Sequence, residues 1–114
     1  MVKRHAHTVE QHDVREAVLR PSRYLGYDHD AIAVYLIGRQ AYEIAESELR
    51  RAVWLNPFEP AFQSHLAWCL YKQGKYPEAM EWVEKVLAQT PDHVEAQSIR
   101  ALIQPKLGER QNRP

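Results

Sequence analysis

The sequence predicts an all-α protein built as a short helical solenoid, and three observations lead to that prediction. Similar residues recur at a shift of 34 positions through the middle of the chain. Within each unit the apolar residues follow helical spacing and not the alternation of a strand. The chain has 114 residues, which suits one domain and leaves no room for a sheet beside the repeated units. A period of this length is typical of stacked helical units that bury their apolar faces on one another.

The repeat is visible as residue pairs between positions 26–59 and 60–93. The identical pairs are Ala33 with Ala67, Leu36 with Leu70, Tyr42 with Tyr76, Ala45 with Ala79, and Pro57 with Pro91. The conservative pairs are Ile32 with Leu66, Leu49 with Val83, Ala52 with Val86, and Val53 with Leu87. Apolar and small residues therefore hold the same places in both units.

The second unit carries the clearest signals for a helix, a turn and a second helix. The apolar stripe of its first helix consists of Phe62, Leu66, Ala67 and Leu70. Gly74 can take the positive φ that ends a helix, and Pro77 suits the first turn of the next helix. Pro91 is expected to stop that second helix.

These residues resemble the tetratricopeptide repeat (TPR) family, whose unit is a 34-residue helix–turn–helix. The resemblance covers about residues 26–104 and implies a right-handed solenoid, with repeats at 26–59 and 60–93 and a polar capping helix at 93–104. It also implies that small Ala67 and Ala79 let the two helices of a unit approach closely. The first unit departs from the pattern at its turn, where Gln40 replaces the glycine. Pro105 is expected to end the capping helix, leaving residues 105–114 as a frayed tail.

Two repeats and a cap are fewer than such stacks usually need, so a further element should cover the first unit. The N-terminal arm, residues 1–25, is one candidate, because Thr8 and Gln11 form a capping box that opens a covering helix at about 8–20. The apolar residues of this segment are Val9, Val14, Ala17, Val18 and Leu19. A partner chain is the other candidate.

The resemblance implies that the first helices of the units line a concave groove that binds polypeptides. The groove residues expected from family positions are Tyr27, Asp30, Val34, Ile37, Gly38, Ala61, Ser64, Trp68, Tyr71, Lys72, Glu95, Ser98, Leu102 and Lys106. The lining is apolar and aromatic, which favours a hydrophobic ligand segment and not a clamped carboxylate. Trp68 and Tyr71 are the expected anchors, unless they pack under the N-terminal helix of a monomer. Trp54 and Trp82 form a candidate outer contact surface.

Composition argues against several classes of function. Lys and Arg total 15, as do Asp and Glu, so the chain lacks the basic surplus of a nucleic-acid binder. There is no apolar run of the length that a signal peptide or a membrane-spanning helix requires, and a cytoplasmic location without membrane insertion is expected. The single cysteine, Cys69, excludes an intramolecular disulfide.

No chemistry-bearing motif stands out. His5, His7 and His12 cluster near the N-terminus, but no cysteine or carboxylate completes a ligand set, so no metal or cofactor is expected. The sequence has no Gly-rich phosphate loop, nucleophile elbow or HExxH motif, and it predicts no enzyme. The hypothesis is an adaptor or scaffold module that binds a protein or peptide. The alternative is an accessory subunit of a larger complex, which could be membrane-associated, or a self-assembling protein.

Overall fold

The structure, a computed structural model, describes residues 25–111, and these residues form five α-helices and no strand. The helices are α1 (Tyr27–Gly38), α2 (Tyr42–Leu55), α3 (Pro60–Lys72), α4 (Tyr76–Gln89) and α5 (Val94–Gln111). The predicted all-α class is confirmed for this part of the chain. The predicted covering helix at residues 8–20 lies outside the described residues.

Each helix packs on the next one along the chain, as expected for a helical repeat solenoid. The backbones of α1 and α3 and those of α3 and α5 also come close to each other. Within the described residues the backbones of α2 and α4 stay farther apart, and a side-chain ion pair between Arg50 and Glu78, at 2.6 Å, joins these two helices. The first helices of the units therefore lie closer together than the second helices do. The stack curves so that α1, α3 and α5 line its concave side.

Small residues sit where the two helices of each unit meet. Ala33 and Ala45 in the first unit, and Ala67 and Ala79 in the second, have no exposed surface. The absence of a larger side chain lets the helix backbones approach, as predicted for Ala67 and Ala79. The larger core residues around them are Leu49, Leu66, Leu70, Val83, Val86 and Ile103.

The turn between the helices is the same in both units, although its key residue differs. Gly74 follows α3 with φ +81°, as the sequence predicted, and Gln40 takes φ +63° at the equivalent place after α1. The amide after each of them donates to a carbonyl five residues back, Ala41 to Leu36 and Lys75 to Leu70, both at 2.9 Å. A left-handed conformation strains a residue with a Cβ, so the first turn is less favourable than the second.

The loops that precede α3 and α5 also correspond to each other in the repeat. Pro91 lies just beyond the end of α4, which confirms its predicted role, and Pro57 lies at the same place after α2. Glu59 caps α3 by accepting a hydrogen bond from the Ala61 amide at 3.3 Å. His93 Nδ1 accepts one from the Ala96 amide at 3.2 Å and so caps α5.

The prediction that Pro105 ends the last helix is wrong, because α5 continues through it to Gln111. Proline removes one backbone donor, which leaves the Ala101 carbonyl without its usual partner. Both residues are exposed, so water can satisfy that carbonyl. Beyond the proline, Leu107 packs against the core, which favours continuing the helix. Residues 105–111 are thus helical and not a frayed tail, and residues 112–114 lie outside the described part.

Candidate binding groove

A hollow of about 330 Å³ lies on the concave side between α3 and α5. Its lining residues are Ser64, His65 and Trp68 from α3 and Val94, Glu95, Ser98 and Ile99 from α5. Residues three or four apart lie on one face of a helix, which explains why each helix contributes such a set. We call this hollow the α3–α5 groove. Four expected groove residues meet here: Ser64, Trp68, Glu95 and Ser98.

Trp68 forms the aromatic wall of the α3–α5 groove and is held on two sides. The Lys72 ammonium lies 5.0 Å from the centre of its ring, within cation–π range. The Tyr71 ring lies 5.4 Å away, and Tyr71 in turn contacts Tyr76 of α4 at 5.7 Å. Tyr71 is half-buried against the core and supports Trp68 from behind. Trp68 therefore has a defined orientation before any ligand binds.

A row of polar contacts crosses the three first helices at the edge of the groove. His65 Nδ1 of α3 lies 2.7 Å from Asp30 Oδ1 of α1, which is almost fully buried. His65 Nε2 lies 3.9 Å from Glu95 Oε2 of α5. The hydrogen bond to Asp30 raises the pKa of His65 against the opposing effect of burial, and the charges of Asp30 and Glu95 add to the rise. The imidazole thus ties α1, α3 and α5 together.

The sequence analysis missed three lining residues of the groove, Val94, Ile99 and His65. Of these, His65 is the one that joins the first helices. Asp30 precedes it by 35 residues, one more than the repeat period. In a solenoid, residues about one period apart on first helices are neighbours, so this spacing was the available signal. Ser64 beside it is fully buried and donates to Glu95 Oε2 at 3.3 Å.

The remaining expected groove residues are not in the α3–α5 groove. Tyr27, at the start of α1, donates its hydroxyl to Glu59 Oε2 at 2.6 Å and packs edge-on against the Phe62 ring at 4.8 Å. The hydrogen bond to Glu59, helped by desolvation, raises the pKa of Tyr27 to about 12. Val34 and Leu102 are exposed on α1 and α5, and Ile37 is half-buried against the core.

The two outer tryptophans line different hollows. Trp54 is 80% exposed near the end of α2, beside His29 and Arg51. Trp82 is half-buried, with the Lys85 ammonium 4.1 Å from the centre of its ring. Each tryptophan sits on the second helix of its unit, away from the α3–α5 groove.

One cysteine and several histidine and carboxylate side chains lie among residues 25–111. Cys69 is fully buried, and desolvation raises the pKa of its thiol to about 12, so it stays protonated and unreactive. Within the same residues, histidine, cysteine and carboxylate side chains do not gather into a group of three that could hold a metal ion. None of the five described helices is both long enough and apolar enough to cross a membrane.

Comparison with known proteins agrees with the geometry. A family model described as tetratricopeptide repeat matches residues 36–103, which is more than half of the chain. The match spans the end of α1, the whole of α2 to α4 and most of α5. A search of curated proteins finds no sequence that matches this chain.

Proposed function

Because the chain belongs to the tetratricopeptide repeat family, we propose that it is an adaptor that binds a segment of another protein in the α3–α5 groove. Domains of this family generally serve as protein-interaction modules. The observation that carries the proposal is the position of Trp68. Its ring contacts Lys72 and Tyr71 and faces the concave hollow beside Val94 and Ile99. Aromatic residues of this kind dominate the energetics of protein interfaces.

The size and lining of the groove suggest what it accepts. About 330 Å³ is at the lower end of ligand sites, which suits one or two side chains of a polypeptide more than a cofactor. Trp68 and Val94 favour an apolar side chain. Glu95 adds a negative charge on one side, where its side chain is largely exposed. We expect the ligand segment to place an apolar residue in the groove and a neutral or basic residue next to Glu95.

The test is to capture partners of the full chain from its native host, express the captured segment, and measure its affinity for variants. Trp68→Ala should weaken binding by about 2 kcal/mol or more, which is roughly 30-fold in Kd. Val94→Asp should weaken it as well, and because Val94 is 72% exposed this change does not touch the core. The matched control is Trp54→Ala on the outer surface, which should bind normally. Unchanged affinity in both groove variants would rule out the α3–α5 groove as the binding site.

A permanent subunit, either of a larger complex or of a self-assembling protein, is the second candidate. The exposed apolar side chains of the first unit, Ile32, Tyr35 and Trp54, favour it, because such surface is often covered by a partner. Light scattering with size-exclusion chromatography separates the adaptor from the self-assembling form of this candidate. An adaptor that awaits its ligand should be a monomer, and a self-assembling chain should form a defined oligomer.

A further inference from the structure

The first unit exposes apolar residues whose equivalents in the second unit are buried. Leu66 and Cys69 of α3 have no exposed surface. One period earlier on α1 stand Ile32 and Tyr35, which are 48% and 63% exposed. The second unit differs in having a preceding unit, whose α2 packs on α3. Among residues 25–111 no helix takes that place against α1, so this side of α1 has the composition of a helix–helix interface without its partner.

The second helices show the same difference. A hollow of about 440 Å³ at the junction of the two units is lined by Val53, Pro57 and Phe58 of the first unit and by Gln63, Trp82, Lys85, Ala88 and Gln89. A hollow of about 450 Å³ on the first unit is lined by His29, Arg50, Arg51, Trp54 and Leu55. Four of these five residues are the equivalents, one period earlier, of Gln63, Lys85, Ala88 and Gln89. The two hollows differ in that Val53, Pro57 and Phe58 of a preceding unit complete the first one, whereas no described residue holds the equivalent place in the second.

Junctions between units repeat with a constant register. Gln63 Nε2 donates to the Pro57 carbonyl, and Gln97 Nε2 donates to the Pro91 carbonyl at 2.8 Å. Donor and acceptor both advance by 34 residues, so the loop before each first helix docks in the same way. This regularity justifies extending the register one period toward the N-terminus. It then pairs His29 with Arg23, and it replaces Val53 and Phe58 by two residues of similar character, Leu19 and Tyr24.

We propose that residues 8–24 of this chain cover the uncovered side of the first unit, which we call the open face: His29, Ile32 and Tyr35 of α1 and Trp54 of α2. Moved back by one period, α2 (Tyr42–Leu55) falls on residues 8–21, where the capping box and apolar residues predict a helix. Leu19 and Tyr24 then fill the hollow beside Trp54. Residues 8–24 directly precede residue 25 and the open face in the sequence, so docking this segment incurs little loop-closure cost. This proposal is independent of the function of the α3–α5 groove.

A pair of matched variants of the full chain tests whether the open face is covered. Ile32 and Val34 are two residues apart on α1 and are 48% and 47% exposed in the described part. If residues 8–24 cover Ile32, Ile32→Ser should lower the Tm by about 5 °C or more, and Val34→Ser by less than about 2 °C. Equal shifts for the two variants would overturn the proposal.

Two further measurements identify the occupant. Leu19→Ser should lower the Tm about as much as Ile32→Ser, and the double variant should be little worse than either, because both remove one contact region. An unchanged Tm for Leu19→Ser contradicts the proposal. Light scattering should show a monomer; an oligomer that Ile32→Ser dissociates would mean that a second copy covers the face.

A final readout needs no substitution and so does not depend on the folding of a variant. Trypsin should cleave the intact chain after Arg4, outside the covering segment, at least tenfold faster than after Arg15, inside it. A docked helix resists cleavage because its backbone cannot enter the protease. Equal rates at the two arginines would show that residues 8–24 do not dock, and would leave the open face to another protein.

Discussion

Ile32 of the first unit and Leu66 of the second hold the same position in the repeat, yet Ile32 is half exposed and Leu66 is fully buried. The turns show a similar contrast, with Gln40 and Gly74 in the same left-handed conformation. Backbone geometry is therefore common to both units, and the surroundings are not. The comparison teaches that in a short stack the position of a unit decides what each repeated residue contributes to stability.

The largest expected effect on the free energy of unfolding comes from Leu66, the buried residue of the pair Ile32 and Leu66. Leu66→Ala should lower the free energy of unfolding by about 2–5 kcal/mol, because it leaves a cavity among fully buried side chains. The same truncation at exposed Val34 should cost less than about 0.5 kcal/mol. Urea unfolding monitored by circular dichroism measures both. Similar losses at the two sites would contradict the distinction between the core and the concave surface.

A second effect compares two glycines that both have positive φ. A Cβ added at Gly26 would lie 2.9 Å from Phe62 Cε2 and 3.1 Å from the Ala52 carbonyl oxygen, at the junction of the units. Gly26→Ala should therefore cost about 2–3 kcal/mol through strain and crowding together. Gly74→Ala meets no atom within 4 Å and should cost about 1 kcal/mol from its φ alone. Thermal or urea unfolding separates the two, and equal costs would mean that the close approach at Gly26 relaxes freely.

A smaller effect on stability is expected at the two turn residues, Gln40 and Gly74, and its sign depends on which of the two is changed. Gln40→Gly should stabilise the protein by about 1 kcal/mol, because glycine takes φ +63° without strain. Gly74→Gln should destabilise it by about the same amount. The double exchange moves the glycine from the second unit to the first and should be nearly neutral. A destabilising Gln40→Gly would show that the Gln40 side chain makes a contribution larger than the strain of its backbone.

The smallest effect is a pH dependence from His65. The hydrogen bond to Asp30 raises the folded-state pKa of His65, so its contribution to stability is complete below the unfolded pKa and is lost as the pH rises through the folded value. His65→Gln should therefore lower the free energy of unfolding more at pH 5.5 than at pH 8.5. In an Asp30→Asn background most of that difference should vanish. A penalty for His65→Gln that is the same at both pH values would contradict the proposed role of the ion pair.

Sequence reasoning succeeded where the cause lies within one unit. The helix–turn–helix order follows from apolar spacing, from Gly74 and from Pro91, and the close helix contact follows from Ala67 and Ala79. It failed at Pro105, where proline was expected to act locally. Contacts of Leu107 with the rest of the molecule instead keep α5 helical beyond it.

In the candidate groove, too, some residues were indicated by the sequence, and others depend on contacts with neighbouring helices. Family positions and residue type both predicted Trp68 on the groove lining, where the structure has it. His65 was not predicted, because its importance comes from Asp30 on one neighbouring helix and Glu95 on the other. Tyr71 stays a predicted second anchor, and its ring contacts with Trp68 and Tyr76 also let it support Trp68. Nothing in the α3 sequence alone distinguishes these roles.

The sequence by itself determined the order of the helices, the 34-residue period and the family, because helix propensity, caps, turns and apolar stripes act over a few residues of the chain. Only the tertiary structure decided which equivalent residues are buried, how α1, α3 and α5 are tied through His65, and where the groove lies. Those properties depend on atoms that are about 30 or more residues apart in the chain. Burial and hydrogen bonding are set by neighbours in space, and a repeat places the same residue type beside different neighbours in each unit.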